Sequence, residues 1–185
     1  MKMNKIEEAI IEGTKVAQRE YDAMTGWWLS HGPESYIMCI VANKIGKKAD
    51  YSVFIEASPK KILSEREEKL RGRRPSNYGQ RFDIVVWNKS RNDIRAIIEI
   101  KRAWSMANLS GDREKILKYM KSNKFVKAGY LLAYTEAKGL KRGDTLNNRL
   151  DHWAQGLNCR LVGSFIDEKG DGQWGWAVGL FRINT

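Results

Sequence analysis

The chain is poor in the residues that staple or interrupt a fold. It has 3 Pro, 2 Cys and 2 His in 185 residues. So few prolines, with no low-complexity tract, exclude disorder as the main state. Two cysteines, Cys39 and Cys159, exclude a disulfide framework and a Cys-based zinc site. Both lie in apolar stretches and are expected to be buried, reduced thiols. Two histidines, His31 and His152, argue against a His-rich metal site. Long apolar runs are missing as well. The longest, Tyr36 to Ala42, falls far short of the roughly 20 residues that span a bilayer. The N-terminal segment MKMNKIEEAIIEG carries Glu7 and Glu8 where an export signal is basic and then apolar, so a cytoplasmic protein is expected.

Positive charge is abundant. Lys and Arg number 33 against 22 Asp and Glu, which gives a net charge of +11. For one small domain this excess implies a polyanionic partner, nucleic acid before a membrane surface. Hydrophobic residues make up 42% of the chain, enough at this length for a sizeable core. One domain is expected, with an N-terminal helix and aromatic loop (1–30), a core (33–135) and a C-terminal helix and hairpin (136–185).

The apolar spacing of Ile6, Ala9, Ile10 and Val16 predicts a helix over 4–19, followed by the aromatic loop Gly26-Trp27-Trp28. Pro33 in the first turn opens a helix running to about Ile45. Residues 51–56 read as a strand, and Ser58-Pro59 opens a charged helix. The segments FDIVVW (82–87) and IRAIIEIK (94–101) are apolar strands joined by the polar cluster NKSRND, which predicts a hairpin. A helix over 112–122, a strand over 129–135, a helix over 144–155 and two final strands complete the order. The fold class is α/β, with a mixed central sheet flanked by helices.

The hairpin carries the sharpest chemical signal. Asp83 interrupts one apolar strand, and Glu99 and Lys101 interrupt the next. Side chains alternate along a strand, so Glu99 and Lys101 share a face while Ile100 points into a core on the other. Charges in such surroundings are costly unless paired or bound to metal. With the turn centred near residues 90–91, the numbers of directly paired residues sum to about 182, a condition that Asp83 and Glu99 meet. Two facing carboxylates and a strand carbonyl, that of Ile100, are hard oxygen ligands suited to Mg²⁺ or Mn²⁺. A lysine beside them can orient water and offset phosphate charge. The simpler alternative is an ion pair between Glu99 and Lys101 at the sheet end.

Asp83 in FDIVVW and Glu99-Ile100-Lys101 in AIIEIKRA resemble the motif of the PD-(D/E)XK nuclease superfamily. The resemblance covers about residues 33–135. Phe82 stands where a proline often precedes the Asp. The resemblance implies a restriction-endonuclease-like core. It also implies a Mg²⁺-dependent endonuclease acting on DNA, in which Asp83 and Glu99 bind metal and Lys101 assists phosphodiester hydrolysis. In that superfamily the first core helix often adds a carboxylate, which puts Glu34 among the catalytic and metal-binding candidates. Glu34 shares a helical face with Ile37, Met38, Val41 and Ile45, and it can equally serve the helix dipole. Glu56 is a further candidate for the same role.

The segment KLRGRRPSNYGQR (69–81) holds Arg71, Arg73, Arg74 and Arg81 and leads into the Asp83 strand. These are expected phosphate contacts, with Asn77 and Tyr78 near bases. Lys138, Lys141 and Arg142 form a second basic group. Trp27 and Trp28 suit either base stacking or the core. Asp167-x-Lys169-x-Asp171-Gly172 fails as a calcium loop and reads as a hairpin turn. One active site cuts one strand, so a duplex cut needs two protomers or two binding events, and a homodimer is compatible with the expected activity. The competing expectation is an inactive nucleic-acid-binding or inhibitor protein on the same scaffold.

Overall fold

In a computed structural model of the chain, the described residues are 3–65, 81–139, 142–168 and 174–184. Helix α1 (Lys5–Thr25) begins at a capping box. The Asn4 side chain accepts from the Ile6 and Glu7 amides, and the Glu7 carboxylate accepts from the Asn4 amide at 2.9 Å. Donors that a first helical turn leaves open are thereby satisfied. The helix runs past its expected end to Gly26, whose φ of 70° is the left-handed stop that glycine adopts without strain. A 3₁₀ turn (Leu29–His31) leads to α2 (Glu34–Gly46), with Pro33 just outside the helix.

Strand β1 (Tyr51–Ala57) and helix α3 (Pro59–Glu65) precede the hairpin of β2 (Phe82–Asn88) and β3 (Ile94–Arg102). Helix α4 (Ala107–Ser122) then crosses to β4 (Gly129–Lys138), and α5 (Arg142–Gly156) precedes β5 (Cys159–Glu168) and β6 (Trp174–Ile183). The strands form one six-stranded mixed sheet in the order β1-β2-β3-β4-β6-β5, with β3 and β4 parallel. Ile84↔Ile98, Val85↔Ile97 and Val86↔Ala96 pair directly, before an irregularity at Trp87 brings it opposite Ile94. Extending the regular part by one residue sets Asp83 across from Glu99, as the hairpin arithmetic requires.

Strand alternation divides the interior into two apolar layers. Ile84, Ile98, Ile100 and Tyr130 face α1 and α2, packing with Ile10, Ile37 and Val41. Val85, Ile97, Leu131 and Phe181 face α4 and α5, packing with Ile116 and Trp153. The two thiols part company. Cys159 is buried, but Cys39 is exposed on the outer side of α2, contrary to the expectation from its apolar neighbours. Ile37, Met38 and Val41 occupy the buried face of that helix, and residue 39 turns away from it. Among the described residues, no helix is long and apolar enough to cross a membrane.

One close approach fixes α4 over the sheet. A Cβ on Gly129 would collide with the Ile116 side chain and lie 2.6 Å from Met120 Sδ. Gly111, on the same helix, faces open space. Gly129→Ala is therefore expected to cost about 1–3 kcal/mol through overpacking. Gly111→Ala should instead stabilise by about 0.5–1 kcal/mol through helix propensity. Thermal melts check the pair, and equal shifts for both would show that α4 is not pinned at Gly129.

Candidate active site

Glu99 sits in the middle of β3, between Ile98 and Ile100, and is 4% exposed. Its strand neighbour is Leu131, so its surroundings are apolar except where α4 passes. There Lys115 places Nζ 2.6 Å from Glu99 Oε1. This short contact gives the buried Glu99 carboxylate a charged partner on α4. Lys115 also donates to the Arg81 carbonyl at 3.0 Å, lies 3.8 Å from Asp112 Oδ1 and sits over the Phe82 ring. One ammonium thus ties α4 to the entry of β2 and to the centre of β3.

Asp83 Oδ2 accepts the Ile100 amide at 2.7 Å. The bond spans the hairpin and fixes the carboxylate against β3 next to Glu99. Burial raises the Asp83 pKa, and the Ile100 amide and Lys115 pull it back, while the charges of Asp112 and Glu34 add to the rise. Burial and the charge of Asp83 push Glu99 further, up to about 8, against the opposing pull of Lys115. The charge of Asp83 thus acts on Glu99, and Lys115 and Asp112 act on both acids, which places them in one electrostatic environment.

Lys101 and Glu34 meet at the rim. Glu34 Oε1 accepts the Arg102 amide at 2.8 Å, and its Oε2 lies 3.6 Å from Lys101 Nζ. Glu34 is the first residue of α2, on the opposite face of the sheet from α4, and it reaches the end of β3 across the strand terminus. Both partners are about two-fifths exposed, at 39% for Lys101 and 41% for Glu34. The expected alternative of a Glu99–Lys101 pair is not what forms. Glu99 pairs with Lys115 and Lys101 with Glu34, because alternation fixes only the face and α4 supplies a nearer cation.

The remaining candidates divide. Glu56 has a φ of 47° and pairs with Arg81 at 2.9 Å on the surface, so both its charge and part of that of Arg81 are already engaged. Lys138 lies 5.4 Å over the Trp174 ring at the far end of β4. Trp28 is in the core, while Trp27 is exposed. Arg71, Arg73, Arg74, Asn77, Tyr78, Lys141 and the Arg142 side chain lie outside the described residues, as does the turn containing Lys169 and Asp171.

Sequence reasoning passes over Lys115 and Asp112. Their signal is a charged i, i+3 pair beside the buried positions Leu109 and Ile116 of α4. It also misses Glu136, 8% exposed in the apolar strand β4, although an acid inside an apolar strand is the same signal that singles out Glu99.

Asp83 and Glu99 offer buried carboxylate oxygens, the donor type that a hard divalent cation takes. Lys115 supplies the countercharge in the fold as it stands. Among the described residues, no three His, Cys, Asp or Glu side chains are grouped so as to hold a metal ion. Comparison with protein-family models, with curated proteins and with solved structures gave no match.

The raised Glu99 has a consequence for stability. It keeps its proton in the folded, metal-free state to about pH 8, whereas an unfolded glutamate loses it near about 4.3. Between these values the folded state binds more protons, so the contribution is fully present below about pH 4.3 and is lost as pH rises through about 8. Asp83 adds in the same sense. In EDTA, the melting temperature should fall between about pH 5 and 9, and Glu99→Gln should flatten that fall. Lys115→Met should cost more at high pH, where it leaves a buried carboxylate unpaired, a loss of about 3–5 kcal/mol for such pairs. A parent profile identical to that of Glu99→Gln would contradict the raised pKa.

Proposed function

We propose that the chain is a divalent-metal-dependent nuclease that hydrolyses phosphodiester bonds of DNA. The observation that carries this reading is the buried Glu99, raised to about 8 beside Asp83, at the sheet end where Lys101 and Glu34 meet. The element order α2-β1-α3-β2-β3-α4-β4, with these four strands adjacent in the same order, supports a restriction-endonuclease-like core. The net charge of +11 supports a polyanionic substrate.

Asp83, Glu99, the Ile100 carbonyl and, from the rim, Glu34 are the residues that would hold Mg²⁺ or Mn²⁺. A cation bound there supplies charge that acidifies water and offsets negative charge on a phosphate. The protein's own groups take distinct parts. Lys101, paired only loosely and open to solvent, can donate to a phosphate oxygen and hold a water in line with phosphorus. Glu34 orients Lys101 while its other oxygen is fixed by the Arg102 amide. Lys115 keeps Glu99 in place through its tie to the Arg81 carbonyl. Arg71, Arg73, Arg74, Lys141 and Arg142 are proposed from sequence to hold the backbone, together with Arg81 and Lys138. One such site cuts one strand, so a duplex cut calls for a homodimer or two encounters.

A second reading has its own observation. The 2.6 Å contact between Lys115 and Glu99 places a protein cation against the carboxylate that a metal would use. That favours an inactive nucleic-acid-binding or inhibitor protein on the same scaffold.

Incubating labelled DNA with the parent in Mg²⁺, in Mn²⁺ and in EDTA separates the two. The nuclease reading predicts metal-dependent cutting. Lys101→Ala should lose about 10²-fold or more in rate, the scale of a lost proton-transfer or charge-stabilising group, with an unchanged melting temperature. Asp83→Asn should lose activity that higher Mg²⁺ partly restores. A parent that binds DNA but never cuts it, or a Lys101→Ala variant as fast as the parent, contradicts the reading.

A further inference from the structure

The ends of β3 and β4 carry a second group of side chains, apart from Asp83 and Glu99. Its anchor is Glu136 of β4, on the α2 face. One carboxylate oxygen lies 3.4 Å from the Arg102 guanidinium. The other accepts the Ser30 hydroxyl and sits 3.9 Å from His31 Nε2. Behind it, Arg149 donates to the Glu136 carbonyl at 2.8 Å and to Thr135 Oγ1 at 2.6 Å, fixing the end of β4.

From this fixed centre two tryptophans extend into solvent. The Trp27 ring stands 5.2 Å from the His31 ring, edge to face. The Arg102 guanidinium lies 4.7 Å over Trp104. Farther along the same edge, Lys138 covers Trp174. The chain has 7 Trp. Trp28, Trp87, Trp153 and Trp176 are buried, and the other three, Trp27, Trp104 and Trp174, are 60%, 50% and 39% exposed. All three exposed rings sit where β3 and β4 end. Arg102 joins them to the Lys101 end of β3, because its amide holds Glu34, which faces Lys101.

Open aromatic faces interleaved with cations match a ligand that has both π faces and negative charge. Unpaired nucleotides have both, whereas a duplex keeps its base faces stacked on one another. We propose that this edge is a stacking platform for single-stranded nucleic acid, which Trp27 and Trp104 grip by the bases while Arg102 and Lys138 meet the phosphates. Its service to cleavage rests on the nuclease reading, but the binding itself does not. A protein partner would also favour tryptophan and arginine. The chain's net charge of +11 favours the polyanion, and Glu136, the acid within this group, is already engaged by Arg102, His31 and Ser30.

The test is fluorescence anisotropy in EDTA, with a labelled oligothymidylate of about 15 nucleotides and a duplex of equal length, near the upper site size of single-strand binders. Trp27→Ala and Trp104→Ala are each expected to weaken single-strand binding about tenfold, or about 1.4 kcal/mol, leaving duplex binding within about twofold. Trp27→Phe and Trp104→Phe, which keep a ring, should recover most of the loss, and they carry the test if an alanine variant melts early. Unchanged single-strand binding in the variants overturns the proposal, as does an equal loss for both probes. A shift from oligomer to monomer on size exclusion, with binding intact, overturns it too and assigns the face to contact between copies. Cutting is scored separately on the parent with Mg²⁺. A parent that grips single strands through these rings yet cuts nothing keeps the platform and loses the nuclease. A parent that cuts, with variants that bind normally, keeps the nuclease and loses the platform.

Discussion

A carboxylate in the middle of an apolar strand constrains everything near it. Glu99 cannot carry its charge unaided between Ile97, Leu131 and the underside of α4, because an isolated buried ion is far costlier than any single packing contact recovers. Two answers are built in. Lys115 comes down from α4 to within ion-pair distance, and the carboxyl's affinity for its proton rises. Each answer fixes geometry: Lys115 ties α4 to the start of β2 through the Arg81 carbonyl, and Gly129 lets the helix lie close enough for that reach.

Stability alone does not account for the arrangement. Replacing a buried ion pair with well-packed apolar residues is often neutral or stabilising. An apolar side chain at 99 would remove both the desolvation cost and the need for Lys115. The neighbouring Asp83 compounds the cost, since its charge makes Glu99 harder to ionise. Such an accumulation of unfavourable charge, placed next to a half-exposed lysine, is the pattern by which functional sites depart from the rules that govern the rest of a fold. The rim obeys ordinary rules: Lys101 and Glu34 share solvent, and their separation of 3.6 Å leaves the lysine free to turn to another partner.

Much of this was legible in the chain. The polar cluster between two apolar runs predicts the hairpin, and counting from its centre gives the register that the strands adopt up to Val86. The helical face through Ile37, Met38, Val41 and Ile45 places Glu34 at the head of a packed helix. The partner of Glu99 was not legible, because an ion pair between a strand and a later helix depends on how that helix crosses the sheet, and spacing along the chain carries no such information. The start of α4 escaped for a related reason. Residues Ala107 to Gly111 hold one buried apolar side chain, Leu109, too little periodicity to extend a helix backwards. Cys39 misled because its apolar neighbours belong to one helical face and it belongs to the other. Tryptophans are the instructive case: composition shows that there are many, but only the fold separates the four in its two cores from the three gathered at one edge.

The central claim is that Asp83 and Glu99 form a site for a divalent cation, and calorimetry of Mn²⁺ binding measures it without reference to any substrate. Near neutral pH the account predicts one bound ion per chain. Its heat should vary with the ionisation enthalpy of the buffer, because Glu99, raised to about 8, must release its proton as the ion enters. Binding should be lost in the Asp83→Asn, Glu99→Gln double variant. A parent that takes up no Mn²⁺ at millimolar concentration, or a double variant that binds as the parent does, would contradict it.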